Sequence, residues 1–140
     1  MKKLRIIIVI VLVAAFPVIR IVKTEMLRAN VDIGSVQSTI FEEEEIFDAI
    51  KVVKKSFSSY NTKRIDRIWY DEAWSKECIY YRNQEGPEKY DLNNTIVLLC
   101  DFETNGRDYV WPNMKRTDIE FLLIRSESGD RWIIIDAGEA

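Results

Sequence analysis

Two cysteines, a run of four glutamates and scattered tyrosines and aspartates are the chemically versatile side chains here, and the 140 residues include no histidine. Without imidazole, Ser-His-Asp and Cys-His catalysis are excluded and a catalytic zinc loses its usual ligands. A metal would have to rely on carboxylates. Glu42 to Glu45 are consecutive at a helix start, where each side chain points a different way, and Asp91 in DLNN lacks the following Gly and Glu of a calcium loop. No metal and no other cofactor is expected. Cys78 and Cys100 suit a disulfide in an exported domain, closing about twenty residues and contributing roughly 3 kcal/mol. Alternatively, Cys100 is a small buried apolar side chain and Cys78 faces elsewhere. No C-x-x-C motif is present, which argues against a thiol redox enzyme.

Export is suggested by the opening, MKKLRIIIVIVLVAAFPVIRIVK. Ile6 to Ile19 carry no charge, and Leu4 to Val22, with Arg5 and Arg20 reaching to the two interfaces, would extend about 28 Å as a helix. That length crosses a bilayer core. Residues 1–23 are therefore read as a retained signal anchor, a single transmembrane helix that makes the membrane itself a partner, and 24–37 as a stalk or linker. The short basic tail favours a cytoplasmic N-terminus, so that the domain is single-pass and outside the cytoplasm. The alternative is cleavage after VAA, before Phe16, and secretion. No cysteine directly follows the apolar run to accept a lipid.

After Lys23 the chain carries 15 basic residues against all 23 acidic ones, a net charge of −8. Such a domain repels phosphate backbones, and its one basic cluster, KVVKK with Lys63, Arg64 and Arg67, is more simply solvated helix-end and loop charge. No nucleic-acid partner is expected.

The elements that must position these groups are legible from residue 38 to 140. In STIFEEEEIFDAIKVVKKSFSSYN, Ile46, Ile50, Val53, Phe57 and Tyr60 recur at helical spacing, with Thr39 and Glu42 as a capping box and lysines toward the far end. RIDRIWYD reads as a strand, EAWSKECIYYRNQ as a short helix with Trp74, Cys78 and Tyr81 on one face, although CIYY alone would equally suit a strand, and TIVLLCDFET as a strand whose first half is apolar on both faces and so central. TDIEFLLIR and RWIIIDA, joined by SESGD, form an antiparallel hairpin. Between the middle strands lies NGRDYVWPNMK, a long irregular flap whose aromatics either close one end of the core or meet a partner. The order predicts an α+β domain with one long N-terminal amphipathic helix and a mostly antiparallel sheet of about four strands.

In EEIFDAIKVVKKSF, IWYDEAWS, IVLLCDFET and FLLIRSESGDRWIIIDAG, over about residues 42–138, the chain resembles NTF2-like or cystatin-like cones, which implies a curved, mostly antiparallel sheet wrapped around the N-terminal amphipathic helix. More narrowly, it is similar to small extracytoplasmic domains of unknown function from Gram-positive bacteria. That resemblance implies a fold and a location but no established activity. Some NTF2-like cones are enzymes with an aspartate base and a tyrosine donor, which would draw on Tyr70, Asp71, Tyr80, Tyr81, Asp101, Tyr109 and Asp136, with Asp101 interrupting an apolar strand face. The expected function is a membrane-anchored, non-catalytic binding domain. Its contacts would come from Tyr109, Trp111 and Met114 and its partner would be another membrane or cell-wall protein. The alternatives are a carrier or sensor with an apolar cavity in the cone, and an enzyme using Tyr70, Asp71, Asp101 and Asp136.

Overall fold

The computed structural model describes residues 31–58 and 61–139. Residues 1–23, read as an anchor, and the first half of 24–37, read as a stalk, lie outside the described residues. No helix among the described residues is long and apolar enough to cross a membrane.

Among the described residues, seven elements follow one another as β1 (Asp32–Ile33), α1 (Glu43–Ser56), β2 (Thr62–Tyr70), α2 (Glu72–Glu85), β3 (Thr95–Thr104), β4 (Lys115–Arg125) and β5 (Trp132–Glu139). The strands form one curved mixed sheet in chain order, with β1 parallel to β2 and every other pair antiparallel. Each antiparallel ladder carries at least one register shift, as between Cys100 and Phe102 or Leu122 and Leu123. Such bulges bend a strand and let the sheet wrap its helix.

The predicted stripe of α1 is the buried one, with Ala49 added to Ile46, Ile50 and Val53, and Phe57 just beyond the last turn. Tyr60, assigned to the same stripe, lies outside the described residues. This face packs on Ile65, Ile68, Ile96, Leu98, Cys100 and Phe121. The central position of β3 follows from its sequence: Val97 points to the opposite face, beside Leu122 of β4, where Ile79 of α2 covers them. A strand buried on both sides has no polar face to show, which is why TIVLLC reads as a continuous apolar run.

Three expectations are corrected, and an open one is settled. Residues 31–37, read as the end of a stalk, belong to the fold: Asp32 and Ile33 pair with Arg67 and Ile68, Gly34 donates to the Ile68 carbonyl at 3.1 Å, and Val31, Ile33 and Val36 pack on the core. The capping residue of α1 is Glu42, whose N–H donates to the Glu45 carboxylate at 2.8 Å. Thr39 instead donates from N–H and Oγ1 to Glu72, tying the α1 lead-in to the start of α2. Tyr81 faces solvent on α2, which buries Ser75 and Ile79, one residue around the helix from the expected face. Of the two readings of the cysteines the second holds: Cys78 and Cys100 are both free, because the sheet separates them, with Cys100 on the α1 face and Cys78 on the α2 face.

Candidate functional site

The strand directions place the start of β2, the end of β3, the start of β4 and the end of β5 together, beside the C-terminal end of α1. The flap, residues 105–114, emerges from this end. Its irregular backbone is pinned from within. The Asp108 carboxylate accepts from the amides of Val110 (3.1 Å) and Trp111 (2.8 Å), and Asn105 accepts from the amide of Arg107 at 2.8 Å. Thr104 Oγ1 donates to the Trp111 carbonyl and accepts from the Met114 amide at 2.9 Å, while Asn61 donates to the Arg107 carbonyl at 3.1 Å. Asn113 takes a positive φ of 54°, a conformation asparagine tolerates well.

This scaffold holds apolar side chains out in water. Tyr109 is fully exposed, Val110 is 66% exposed, and Trp111 and Met114 are 42% and 47% exposed. One face of Trp111 carries the Arg116 guanidinium, 4.0 Å from the ring centroid, and Arg116 in turn pairs with Glu139. The three residues expected to make contacts therefore share one ordered tip.

Beneath the flap is a cavity of about 190 Å³ lined chiefly by Phe57, Phe102, Ile119, Phe121 and Trp111. Phe57 closes its floor edge-on to Phe102, with ring centroids 5.0 Å apart. Thr62 also lines it; only 2% of the residue is exposed, and its Oγ1 has no hydrogen-bond partner. A buried hydroxyl without a partner is uncommon in native proteins.

The tyrosine and aspartates that could have formed a proton-transfer site do not meet. Tyr70 is buried at the opposite end of the core, edge-on to Phe41, and burial raises its pKa. Asp71 caps α2 by accepting from the Trp74 amide at 3.0 Å. Asp101 accepts from the Asp118 amide at 2.9 Å, holding that residue at φ 55°. Asp136 binds Arg82 at 2.7 Å on the α2 face.

One polar cluster was not anticipated from the sequence. Glu120, 7% exposed under α2, accepts from Trp74 Nε1 at 2.8 Å and from Cys78 Sγ at 2.9 Å, with Arg82 at 3.7 Å. Its signal was the lone carboxylate inside the apolar run IEFLLI. Burial, aided by the bond to Glu120, pushes the Cys78 thiol up to about 12, so it remains a protonated donor rather than a nucleophile. Burial likewise raises Cys100. Among the described residues, no group of three or more acidic or cysteine side chains is placed to hold a metal ion.

These features define an α+β domain with a preordered apolar tip over a small apolar cavity. No protein-family model matches the chain, and neither a curated protein nor a solved structure matches it.

Proposed function

We propose that the chain is a membrane-anchored, extracytoplasmic, non-catalytic binding domain of the NTF2-like or cystatin-like type, with the flap end as its contact surface. The observation that carries this reading is the Tyr109–Met114 tip. Four apolar side chains are held in water by a flap that the Asn105 and Asp108 side chains order from within. Scattered exposed apolar residues are ordinary, but a contiguous and preordered group lowers the entropic cost of association. The separate structural roles of Tyr70, Asp71, Asp101 and Asp136 support a non-catalytic function.

Hydroxyl-radical footprinting of the full chain in its native membrane tests this. In the isolated fold Tyr109 is more exposed than Tyr80 and Tyr81 on α2, at 60% and 55%. We expect Tyr109, Trp111 and Met114 to be modified less than Tyr80 and Tyr81 in the membrane. If Tyr109 remains the most reactive tyrosine, the flap end is not a contact surface.

A second reading, a carrier or sensor of a small ligand, is favoured by Thr62. Its unpartnered hydroxyl in an apolar cavity suits a small, mainly apolar molecule with one hydrogen-bonding group; a cavity of roughly 150 Å³ can take a benzene ring. Native mass spectrometry of the gently extracted protein would show such a molecule as a stoichiometric added mass, and its absence would remove the reading.

A further inference from the structure

The flap end differs in charge from the rest of an acidic domain. Lys54 and Lys55 close α1 there, Lys63 and Arg64 open β2, Arg107 lies on the flap, and Lys115 and Arg116 open β4. Three of these cations share one carboxylate: Glu103 meets Lys63 at 2.7 Å and Arg64 at 3.4 Å, and lies opposite Lys115 in the β3–β4 ladder. Arg64 is further matched by Asp66, and Arg116 by Glu139. Asp101, Asp108 and Asp118 lie at this end too, so its seven cations face six carboxylates, a near balance in a domain of net charge −8, and Lys54, Lys55 and Arg107 form no ion pair with a described residue. The acids collect at the other end, in Glu42 to Glu45, Glu72, Glu127 and Asp130.

The direction of β1 adds a separate observation. Because β1 runs parallel to β2, with Asp32 opposite Arg67 and Ile33 opposite Ile68, the chain arriving at Val31 comes from the side of Thr62, which is the flap end. Residues 24–30 separate the apolar N-terminal segment from Val31, and a stretch of that length spans at most roughly 27 Å. From Arg67 down to Thr62 is about 16 Å of strand. The chain therefore runs into β1 from the direction of the flap end, and under the anchored reading a link of seven residues holds the domain near the bilayer.

We infer that the partner of the flap end is an anionic lipid surface, with Tyr109, Val110 and Trp111 in the headgroup layer and Lys54, Lys55, Arg107 and Lys115 over the lipid phosphates. Tyrosine and tryptophan suit that layer because each has an apolar body and a polar edge, and cations beside them add electrostatic attraction. The acidic end then faces away from the surface, where like charge repels it. This inference rests on the flap end being the contact surface and names what it contacts.

All four tryptophans, Trp69, Trp74, Trp111 and Trp132, lie in the domain, so fluorescence reads its contact with lipid directly. The full chain is reconstituted into vesicles of phosphatidylcholine and phosphatidylglycerol brominated just below the headgroups. We expect quenching of the share of emission that belongs to Trp111, its loss in Trp111→Phe, and its return when Tyr109→Trp is added to that variant. Reversing Arg107 and Lys115 to glutamate should weaken it, each cation being worth about fivefold in partition to an anionic surface. Pure phosphatidylcholine should also quench less. Equal quenching in wild type and Trp111→Phe, or none in anionic vesicles, overturns the inference. Should the footprint protect the flap in native membranes while anionic lipid alone leaves Trp111 unquenched, the contact surface stands and its partner is a protein. If neither is seen, both readings fall.

Discussion

Replacing Thr62 with valine should make this protein more stable, which is the reverse of what most core substitutions do. Thr62 opens β2 and pairs with Thr104 through the backbone, so its place in the ladder does not depend on the hydroxyl. Oγ1 is buried and has no partner. Valine has nearly the same shape and an equal preference for strands, and it removes a desolvated polar atom that costs about 1–2 kcal/mol when left unpaired. For a domain of about this size, 1 kcal/mol corresponds to roughly 4–8 °C in Tm. Calorimetry of wild type and Thr62→Val in the same detergent would read the shift, with urea unfolding as an independent check. An unchanged or lower Tm refutes the reasoning, because it means the hydroxyl has a partner in the cavity. Where native mass spectrometry also shows an added mass that Thr62→Val loses, that partner is a bound small molecule.

Glu120→Ala leaves Trp74 Nε1, Cys78 Sγ and Arg82 without their acceptor under α2; it should cost about 2–4 kcal/mol, with Glu120→Gln costing less, and equal losses by urea denaturation would show that the cluster does not depend on an acceptor there. Cys78 should resist alkylation at pH 8, then react faster as pH approaches about 12. Because the native thiol keeps its proton while an unfolded one ionises near 8.5, its contribution to stability is complete below that pH and is lost as pH rises toward the folded value. Cys78→Ala should flatten this alkaline decline, and an unaltered pH profile would assign the decline to other groups. A Cβ on Gly34 would stand 2.6 Å from Trp69 Cβ, so Gly34→Ala should destabilise by about 1–3 kcal/mol; a neutral result would mean that the strap formed by residues 31–37 is not integral to the fold.

The regular elements were legible because their periodicity is written in side chains that all face one core. The spacing of Ile46, Ile50, Val53 and Phe57 is a helix period, and the two-sided apolar run of β3 signals cover on both faces. β1 was not legible, since two residues carry no period and its strand character comes from the neighbour it pairs with. The capping residue of α1 was displaced because Glu72, distant in sequence, competes for Thr39. The flap residues Tyr109, Trp111 and Met114 were identifiable as apolar side chains in a loop, but the cavity below them, with Thr62 in its wall, is assembled from strands and a helix separated by dozens of residues.

The amino-acid sequence alone, then, determined the α+β class, the central place of β3, the closing hairpin and the absence of histidine chemistry, all of which depend on local pattern or composition. Tertiary structure decided that β1 runs parallel to β2, that Cys78 and Cys100 lie on opposite faces, and that Tyr70, Asp71, Asp101 and Asp136 never converge. Those outcomes depend on strand direction and on the side of the sheet each residue takes, and a parallel two-residue strand or a single bulge changes both without leaving a mark in composition.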